Sequence, residues 1–463
     1  MNKKSISSVF IWQLLGKFAI QGIAFITVPI FTRIMSPGDY GQYAVYSSWL
    51  SLLSLFIGLQ TAGSIANAKI KYSSEEYQKY LSSILSISCV SFSIILLFAC
   101  ILRKKIGVLL GYNSNLIILM VIHSFLNYCF DFYLTKLIQD KDSRRNALYS
   151  ILVSLSGTVL ALVLILNINY SKYLLKIFGY VIPLFFAGVF AIIEIFRKGK
   201  TTFDKKYWKF CIGFSFPLIM HGASCIVLTQ SDRIMLKALQ SESDAGIYSV
   251  AYNLALVISV IMTAANTTWI PFYYEYEKKN DIEQIKKRFN NYLINFTIIT
   301  LGFILCCPEV FKILAPNGYW SGLKLLPIIA LAYYFNFLYT FPGNFEFYME
   351  KMKYFSTATI IAAIINILGN YLLIPKYGII GAGVTTLYSY VFLFIFHDIV
   401  ARFIIKEKKF FINKTSYLKG IAPVAAISVI YYLTLDLWYI RWTLAVILGA
   451  FLLVRLIKNR SFF

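Results

Sequence analysis

The chain has 463 residues, 59% of them apolar and 14% charged, with a formal net charge of +23 and a mean hydropathy of +0.68. Soluble domains are about 45–50% apolar and about 25% charged, so this composition excludes a soluble globular protein and indicates lipid as the solvent. The Lys and Arg residues form short clusters between long apolar runs. The positive charge therefore indicates membrane topology rather than nucleic-acid binding.

A transmembrane helix needs about 20 mostly apolar residues, and this rule predicts about fourteen helices here. The first run, from Val9 to Phe31, is followed by no cleavage site and is predicted to be a retained helix rather than a signal peptide. The sequence thus predicts an all-α integral membrane protein. The predicted spans lie near residues 9–31, 43–65, 80–102, 113–138, 147–168, 173–196, 210–235, 247–271, 289–314, 322–345, 354–375, 379–404, 418–435 and 440–457.

The distribution of positive charge predicts the orientation of these helices. Cytoplasmic connections carry an excess of Lys and Arg. If the N-terminus is inside, the basic clusters at 197–209, 278–288 and 406–419 all fall on the cytoplasmic side. Both ends of the chain are therefore predicted to be cytoplasmic. The connections between the predicted spans are short, which leaves no room for a soluble catalytic domain.

An internal repeat divides the chain into two halves. Residues 33–35, Arg-Ile-Met, recur as residues 233–235, and the Asp-x-Gly-x-Tyr turn at 39–43 recurs at 244–248. An even number of predicted helices separates the two copies, so both halves insert with the same orientation. Parallel repeats of this kind are related by a pseudo-two-fold axis along the membrane normal, with the substrate path between the halves.

The repeat predicts four segments. They are an N-terminal six-helix lobe at 1–196, a basic cytoplasmic linker at 197–209, a C-terminal six-helix lobe at 210–405, and two appended transmembrane helices at 406–463. A doubled bundle with a central cleft is typical of an alternating-access carrier and argues against a pore.

Two motifs resemble a known family. The stretch 29–45, P-I-F-T-R-I-M-S-P-G-D-Y-G-Q-Y-A-V, resembles the first helix-turn of Wzx-type polysaccharide flippases, and residues 365–382 resemble that family's hairpin between helices eleven and twelve. These flippases belong to the multidrug/oligosaccharidyl-lipid/polysaccharide (MOP) exporter superfamily. Its lipid II branch carries an Arg-Asp pair in helix one. Here Thr27 and Val28 stand at those positions, which argues against a peptidoglycan precursor as substrate.

The resemblance implies a V-shaped, two-lobed transporter in the bacterial plasma (inner) membrane. It would flip an undecaprenyl-diphosphate-linked oligosaccharide, such as an O-antigen or capsule repeat unit, from the cytoplasmic to the outer leaflet. The implied partners are that lipid-linked oligosaccharide, membrane lipids, and the polymerase and export machinery of the same pathway.

A flippase needs cations for the diphosphate, and amide, hydroxyl or aromatic groups for the sugars. Lys17 is the one basic residue well inside a predicted span, and Gln21 lies one turn further on the same helix face. The two are predicted to contact substrate in the cleft, although Lys17 is also placed to snorkel to the cytoplasmic headgroups. Arg33 and Arg233 end helices one and seven. They either line the outer mouth of the cleft, cap their helices, where a cation is favoured, or pair with Asp39 and Asp232.

Two further polar stripes carry ionisable groups at membrane depth, where they are costly and usually functional. Helix four places His123 and Asp131 on one face, about 12 Å apart at about 1.5 Å per residue. Helix seven places His221 and Asp232 on one face, with His221 at the repeat position of Gln21. His221 is a cleft candidate. Asp131, His123 and Asp232 are candidates for coupling to a proton or sodium gradient. Hydrogen bonding within the helix bundle is the structural alternative.

Other classes of protein leave different signatures. A drug/cation antiporter of the same superfamily would favour acidic residues in the cleft, and it remains the main alternative. A polysaccharide polymerase would need a large outer loop or a reactive cluster. The three His residues lie on three different predicted helices, the seven Cys residues lack C-x-x-C spacing, and no phosphate-binding glycine loop occurs. The sequence therefore predicts no catalytic residue, no metal site and no cofactor.

Overall fold

Helices form nearly all of the chain in the computed structural model. It describes the backbone of residues 6–459 and 462–463 and the side chains of 12–13, 15–16, 18–458 and 462–463. No β-strand occurs within these ranges. Fourteen α-helices run in chain order: α1 Ile6–Ile34, α2 Pro37–Gly58, α3 Ile65–Lys71, α4 Ser74–Leu110, α5 Ser114–Gln139, α6 Ser143–Asn167, α7 Lys172–Gly199, α8 Lys205–Leu239, α9 Glu242–Lys279, α10 Ile282–Leu314, α11 Leu326–Tyr348, α12 Met352–Ile399, α13 Lys414–Leu433 and α14 Trp438–Asn459.

The predicted all-α membrane fold is confirmed. Eleven helices of the described part are long and apolar enough to cross a membrane, or twelve if α2 is counted with the bent segment 61–71 as one span. Within α1, the apolar stretch Phe18–Ile34 is shorter than that criterion requires. Two of the fourteen predicted spans, 354–375 and 379–404, lie within α12 and the π-helical turn Val400–Ile404 that follows it.

The two predicted spans of α12 lie side by side because the chain reverses at Gly378. Gly378 has a positive φ of 55°, which glycine adopts without steric cost. A Cβ added to Gly381 would come within 2.4 Å of the Leu373 carbonyl oxygen, and one added to Gly369 would come within 2.6 Å of Thr385. A straight helix would hold each of these pairs more than 10 Å apart at about 1.5 Å per residue. The predicted hairpin is therefore present.

The second predicted span is shorter than expected and ends in a bend. Leu59 and Gln60 both have positive φ, at 47° and 53°, and the segment after them turns by 54°. Gly58 lies against the Tyr128 ring, so closely that a Cβ would come within 2.2 Å of two ring atoms. Packing against α5 therefore ends α2, whereas the apolar pattern of the sequence continues to residue 65.

The chain packs as two compact units, residues 1–234 and residues 235–463. In the first unit α5 and α7 are central, and both contact α2, α4 and α6. In the second unit α10 contacts α9, α11, α13 and α14. Most of α8 belongs to the first unit, because Trp208 donates a hydrogen bond to the Ser83 carbonyl (3.0 Å) and Ser215 donates one to the Gln60 carbonyl (3.1 Å). The lobes at 1–196 and 210–405 and the linker at 197–209 stay a prediction.

A cluster of three charges fixes the end of α5. The two carboxylate oxygens of Asp140 accept from Lys69 Nζ (2.6 Å) and Lys136 Nζ (2.7 Å), and Lys136 is 5% exposed. Burial acts to raise the pKa of Asp140. The hydrogen bonds and charges of Lys136 and Lys69 outweigh it and lower that pKa below its ordinary value. The two ion pairs of Asp140 therefore stabilise the folded protein at neutral pH.

Replacement of Asp140 by Asn is expected to lower the free energy of unfolding by about 1–3 kcal/mol at pH 7, because it leaves the Lys136 ammonium buried and unpaired. A depressed folded-state pKa contributes stability above the unfolded value of about 3.9, and that stability is lost as the pH falls through the folded value. The difference between wild type and D140N in the melting temperature of the purified protein should therefore narrow as the pH falls below about 4. The control E75Q removes an exposed partner of Lys79 and should leave the melting temperature close to that of wild type. A D140N deficit that stays constant as the pH falls from about 7 to about 3 would contradict this account.

Candidate functional site

The repeated motif folds identically in both units. Ser36 accepts from the Asp39 backbone N–H (3.1 Å) and donates to the Asp39 carboxylate (2.8 Å). Ser241 and Asp244 make the same pair of contacts, at 3.0 and 2.6 Å. In each copy the side chain therefore caps the N-terminus of a long helix, α2 or α9, where it satisfies a backbone donor that has no partner within the helix.

The two repeated arginines share a contact but not an environment. Arg33 Nη1 donates to the Pro29 carbonyl, and Arg233 Nη1 donates to the Thr229 carbonyl, both over 2.7 Å and four residues back. Arg33 is exposed, whereas Arg233 is 6% exposed. Arg33 lies in the last turn of α1, where a cation is favoured. The prediction that Arg233 ends its helix is wrong, because α8 continues beyond it to Leu239. Arg233 differs from Arg33 in its burial. Since a guanidinium keeps its charge even when buried, Arg233 places a positive charge inside the protein.

A polar chain connects α2 to the arginine of α8. Ser48, fully buried on α2, donates to the Gln230 side-chain oxygen (3.0 Å), and the same oxygen accepts from Arg233 (2.8 Å). Asp232, next in sequence to Arg233, is also fully buried. Gln230 and Ser48 were not predicted from the sequence, since neither residue is ionisable and they lie 182 positions apart. The region near the end of α8 is therefore a buried polar site with at least one cation.

The polar stripe of α5 divides into a buried and an exposed part. His123 is buried, and its Nδ1 lies 3.1 Å from the Tyr46 hydroxyl. Asp131, two turns further on, is exposed and accepts from the Asn127 amide (3.2 Å). The structure thus holds His123 within the first unit by a hydrogen bond to α2. Asp131 is a carboxylate on the surface of an apolar helix.

The remaining candidates lie on α1 and α8. Gln21 is exposed and His221 is half-buried, with its Nε2 3.7 Å from the Cys225 sulfur. Gly222, beside His221, lies against the Gln60 amide, which a Cβ would approach to 2.4 Å. The side chain of Lys17 lies outside the described residues. The structure therefore gathers Arg233 and Asp232 near the end of α8 and places His221 about three turns before them on the same helix.

The amino-acid sequence is similar to those of known proteins, and this similarity shows its family. Residues 8–277 match the protein family described as "Polysaccharide biosynthesis protein". The chain belongs to this family. A relative from Haemophilus influenzae, the Lsg locus putative protein 1, is 26% identical over 80% of this chain and 93% of its own length. The succinoglycan biosynthesis transport protein ExoT of Rhizobium meliloti is 23% identical over 60% of this chain and 57% of its own length.

Solved structures show the same fold at low identity. The lipid II flippase MurJ, in an inward closed conformation, matches with a TM-score of 0.72 at 15% identity, covering 97% of each chain. An inward-facing MATE-family multidrug resistance transporter of the MOP superfamily matches with a TM-score of 0.66 at 12% identity, covering 90% of this chain and 95% of that one. The MOP fold implied by the sequence motifs is therefore confirmed.

A buried lysine that was not predicted from the sequence lies where α1, α2 and α7 meet. Lys176 is 4% exposed, and its Nζ lies 3.9, 4.6 and 4.1 Å from the ring centroids of Phe31, Tyr40 and Tyr43. No carboxylate within the described side chains forms an ion pair with it. Three aromatic faces thus replace the water around this ammonium.

Substitution of Lys176 by Met or Ala separates packing from charge in this corner. Met fills the space between the three rings without a buried charge, so K176M is expected to stay within about 2 kcal/mol of wild type. Ala leaves a cavity, so K176A should lose about 2–4 kcal/mol. Melting temperatures of the purified variants test this order. Equal losses in the two variants would mean that the attraction between the ammonium and the rings, and not side-chain volume, holds the corner together.

Proposed function

We propose that this protein flips an undecaprenyl-diphosphate-linked oligosaccharide from the cytoplasmic to the outer leaflet of the bacterial plasma (inner) membrane. The proposal depends above all on the family match over residues 8–277. The MOP fold that the chain shares with a lipid II flippase over 97% of its length supports it as well. The substrate class proposed is an O-antigen or capsule repeat unit, and the polymerase and export machinery of that pathway are the proposed partners.

The cations support an anionic substrate. A diphosphate requires positively charged or N–H donor groups in a site shielded from lipid. Arg233 provides a buried guanidinium near the end of α8, and Arg33 provides the exposed counterpart at the end of α1. We assign these two residues, with Lys17, to the phosphates and Gln21 and His221 to the sugars. The helix orientation proposed here places both termini in the cytoplasm.

The parallel repeat supports alternating access, in which two similar halves rearrange around the substrate path. Asp131 is the first candidate for ion coupling, because it is an exposed carboxylate within a helix that otherwise meets the criteria for a membrane span. His123 and Asp232 remain further candidates, for a proton or for sodium. Nothing in this mechanism requires a covalent step, so we propose a transporter rather than an enzyme.

The deciding experiment locates the lipid-linked oligosaccharide in cells depleted of the protein. Accumulation of a complete diphosphate-linked repeat unit in the inner leaflet, together with loss of surface glycan, is expected, and re-expression of the wild-type chain should reverse both. Normal delivery to the outer leaflet would overturn the proposal. Complete but unpolymerised units on the outer face would also overturn it, because they would indicate a polymerase.

A second candidate is a drug/cation antiporter, which the match to a multidrug resistance transporter of the same superfamily favours. This function would depend on acidic side chains such as Asp131 rather than on the buried Arg233. Depleted cells would then become sensitive to cationic drugs while keeping their surface glycan. Sensitivity to such drugs in cells with intact glycan would establish this alternative.

A further inference from the structure

The second unit contains a fully buried carboxyl–imidazole pair. Glu346 lies near the end of α11, His397 lies near the end of α12, and the exposed fraction of both side chains is 0%. Glu346 Oε1 is 2.7 Å from His397 Nδ1. At this distance one proton lies between the two groups, whichever of them is its donor.

The surroundings of the pair are aromatic. The Tyr339 ring stacks on the imidazole at 5.4 Å, and the Phe355 ring lies 5.1 Å from it. Glu346 Oε2 and His397 Nε2 are buried with no hydrogen-bond partner within the described residues. A buried polar atom without a hydrogen-bond partner lowers the stability of the fold. Two of the four polar atoms of the pair are in this state, and packing alone does not explain why they are kept.

Among the described side chains, His397 is the one ion-pair partner of Glu346. Other charged groups on the neighbouring segments form three ion pairs with each other, with N–O distances of 2.5–2.8 Å. The pairs are Asp398 with Arg402, Lys351 with Glu407, and Lys408 with Glu277.

The electrical balance then fixes the number of protons. With one proton, the pair is either neutral carboxylic acid and imidazole or carboxylate and imidazolium, and its net charge is zero in both cases. With no proton it carries a lone negative charge, and with two a lone positive charge. A single buried charge is far more costly than a neutral pair. The buried pair therefore holds one proton.

We propose that Glu346 and His397 form a proton-binding site, which keeps one proton while the pair is buried and exchanges it when the ends of α11 and α12 open to water. The proposal rests on the proposed transport function and assigns its driving ion. It adds a site in the second unit to the candidates chosen from the sequence, all of which lie in the first.

The backbone beside the pair is suited to such opening. A π-helical turn, Val400–Ile404, begins three residues after His397, and turns of this kind are frequent at functional sites. Glu350, four residues after Glu346, has a positive φ of 58°, a strained conformation for a side chain of its size.

The first test is the pH dependence of thermal stability of the purified full chain, which needs no substrate. Unfolded, His binds its proton below about pH 6.5 and Glu below about pH 4.3. Wild type holds one proton when folded and should lose stability as the pH rises above about 6.5. E346Q leaves a neutral buried His397 and should instead lose stability as the pH falls below about 6.5. At every pH above about 4.3 at which folded wild type keeps its proton, the ratio of the unfolding constants of wild type and E346Q should change about tenfold per pH unit.

Two further variants complete the test. E407Q removes one carboxylate from an exposed pair at the same end of the unit, and its pH profile should parallel that of wild type. H397Q retains only the carboxyl proton, so its stability should begin to fall from about pH 4.3 upward; it serves if E346Q does not fold. Parallel profiles of wild type, E346Q and H397Q would overturn the proton-binding site.

The second test measures surface glycan in depleted cells that express each variant. E346Q should reduce surface glycan at least tenfold at a membrane abundance within twofold of wild type, and E407Q should leave it unchanged. If the pH profiles agree with expectation but E346Q supports normal glycan, the coupling role is overturned. If depletion itself leaves the glycan intact, the proposed flippase function fails, while the stability profiles still decide whether the pair binds a proton.

Discussion

Replacement of Gly381 by Ala is expected to remove most of the protein from the membrane. The added Cβ would lie 2.4 Å from the Leu373 carbonyl oxygen and 2.7 Å from its carbon, and backbone atoms cannot move aside as a flexible side chain can. The two arms of the α12 hairpin must then separate, at a cost of about 3 kcal/mol or more. That loss is a large fraction of the stability of an ordinary domain.

The matched control is G302A, in the interior of α10. Nothing lies within 4 Å of a Cβ at Gly302, so this variant should be neutral or gain up to about 1 kcal/mol from the better helix propensity of Ala. Quantitative immunoblots of the membrane fraction and melting temperatures of purified protein compare the two. Equal abundance of G381A and G302A would show that the hairpin can widen without cost.

Replacement of Arg233 by Gln is expected to reduce transport more than any other substitution in the proposed cation set. A hydrogen bond to a charged group contributes about 1.5–3 kcal/mol, so loss of one diphosphate contact should reduce surface glycan delivery about tenfold to hundredfold. R233Q also breaks the contact to Gln230, and through it the link to Ser48. Membrane abundance must therefore be measured beside surface glycan.

The repeat supplies the matched control, R33Q. Arg33 makes the same contact to a carbonyl four residues back but is exposed, so solvent screens its charge and the expected loss is smaller. R233K should retain part of the activity, because Lys keeps the charge but not the planar donor geometry. If R233Q transports normally at normal abundance, the role of Arg233 is limited to its contacts with Thr229 and Gln230 within the protein.

The sequence was most informative where chemistry is local. The Asp-x-Gly-x-Tyr turn and its repeat marked the two connections after which the structure begins α2 and α9 with the same serine cap. The motif at 365–382 implied the hairpin that the structure forms at Gly378, through a conformation that few other residues adopt. Such signals depend on residues a few positions apart, and these can be read from a single chain.

The features that could not be predicted from the sequence depend on tertiary packing. The bend at Leu59 follows from the Tyr128 ring, which lies on another helix. Lys176 carries no local signal of its own, because the three rings around it belong to α1 and α2. Glu346 and His397 are 51 residues apart. No local pattern links partners at such separations, so these sites emerge only when the chain is folded.

The last helix, α14, has consequences for handling the protein outside its membrane. Only 6% of its most apolar stretch is buried within the protein. Arg441 pairs with Glu309 of α10, and Trp442 Nε1 also donates to Glu309 (3.1 Å), so polar contacts hold α14 to α10. Lipid must therefore supply most of its apolar contacts. A short-chain detergent that replaces this lipid poorly will loosen α14 before the rest of the second unit, so purification is best carried out in nanodiscs or with long-chain detergents.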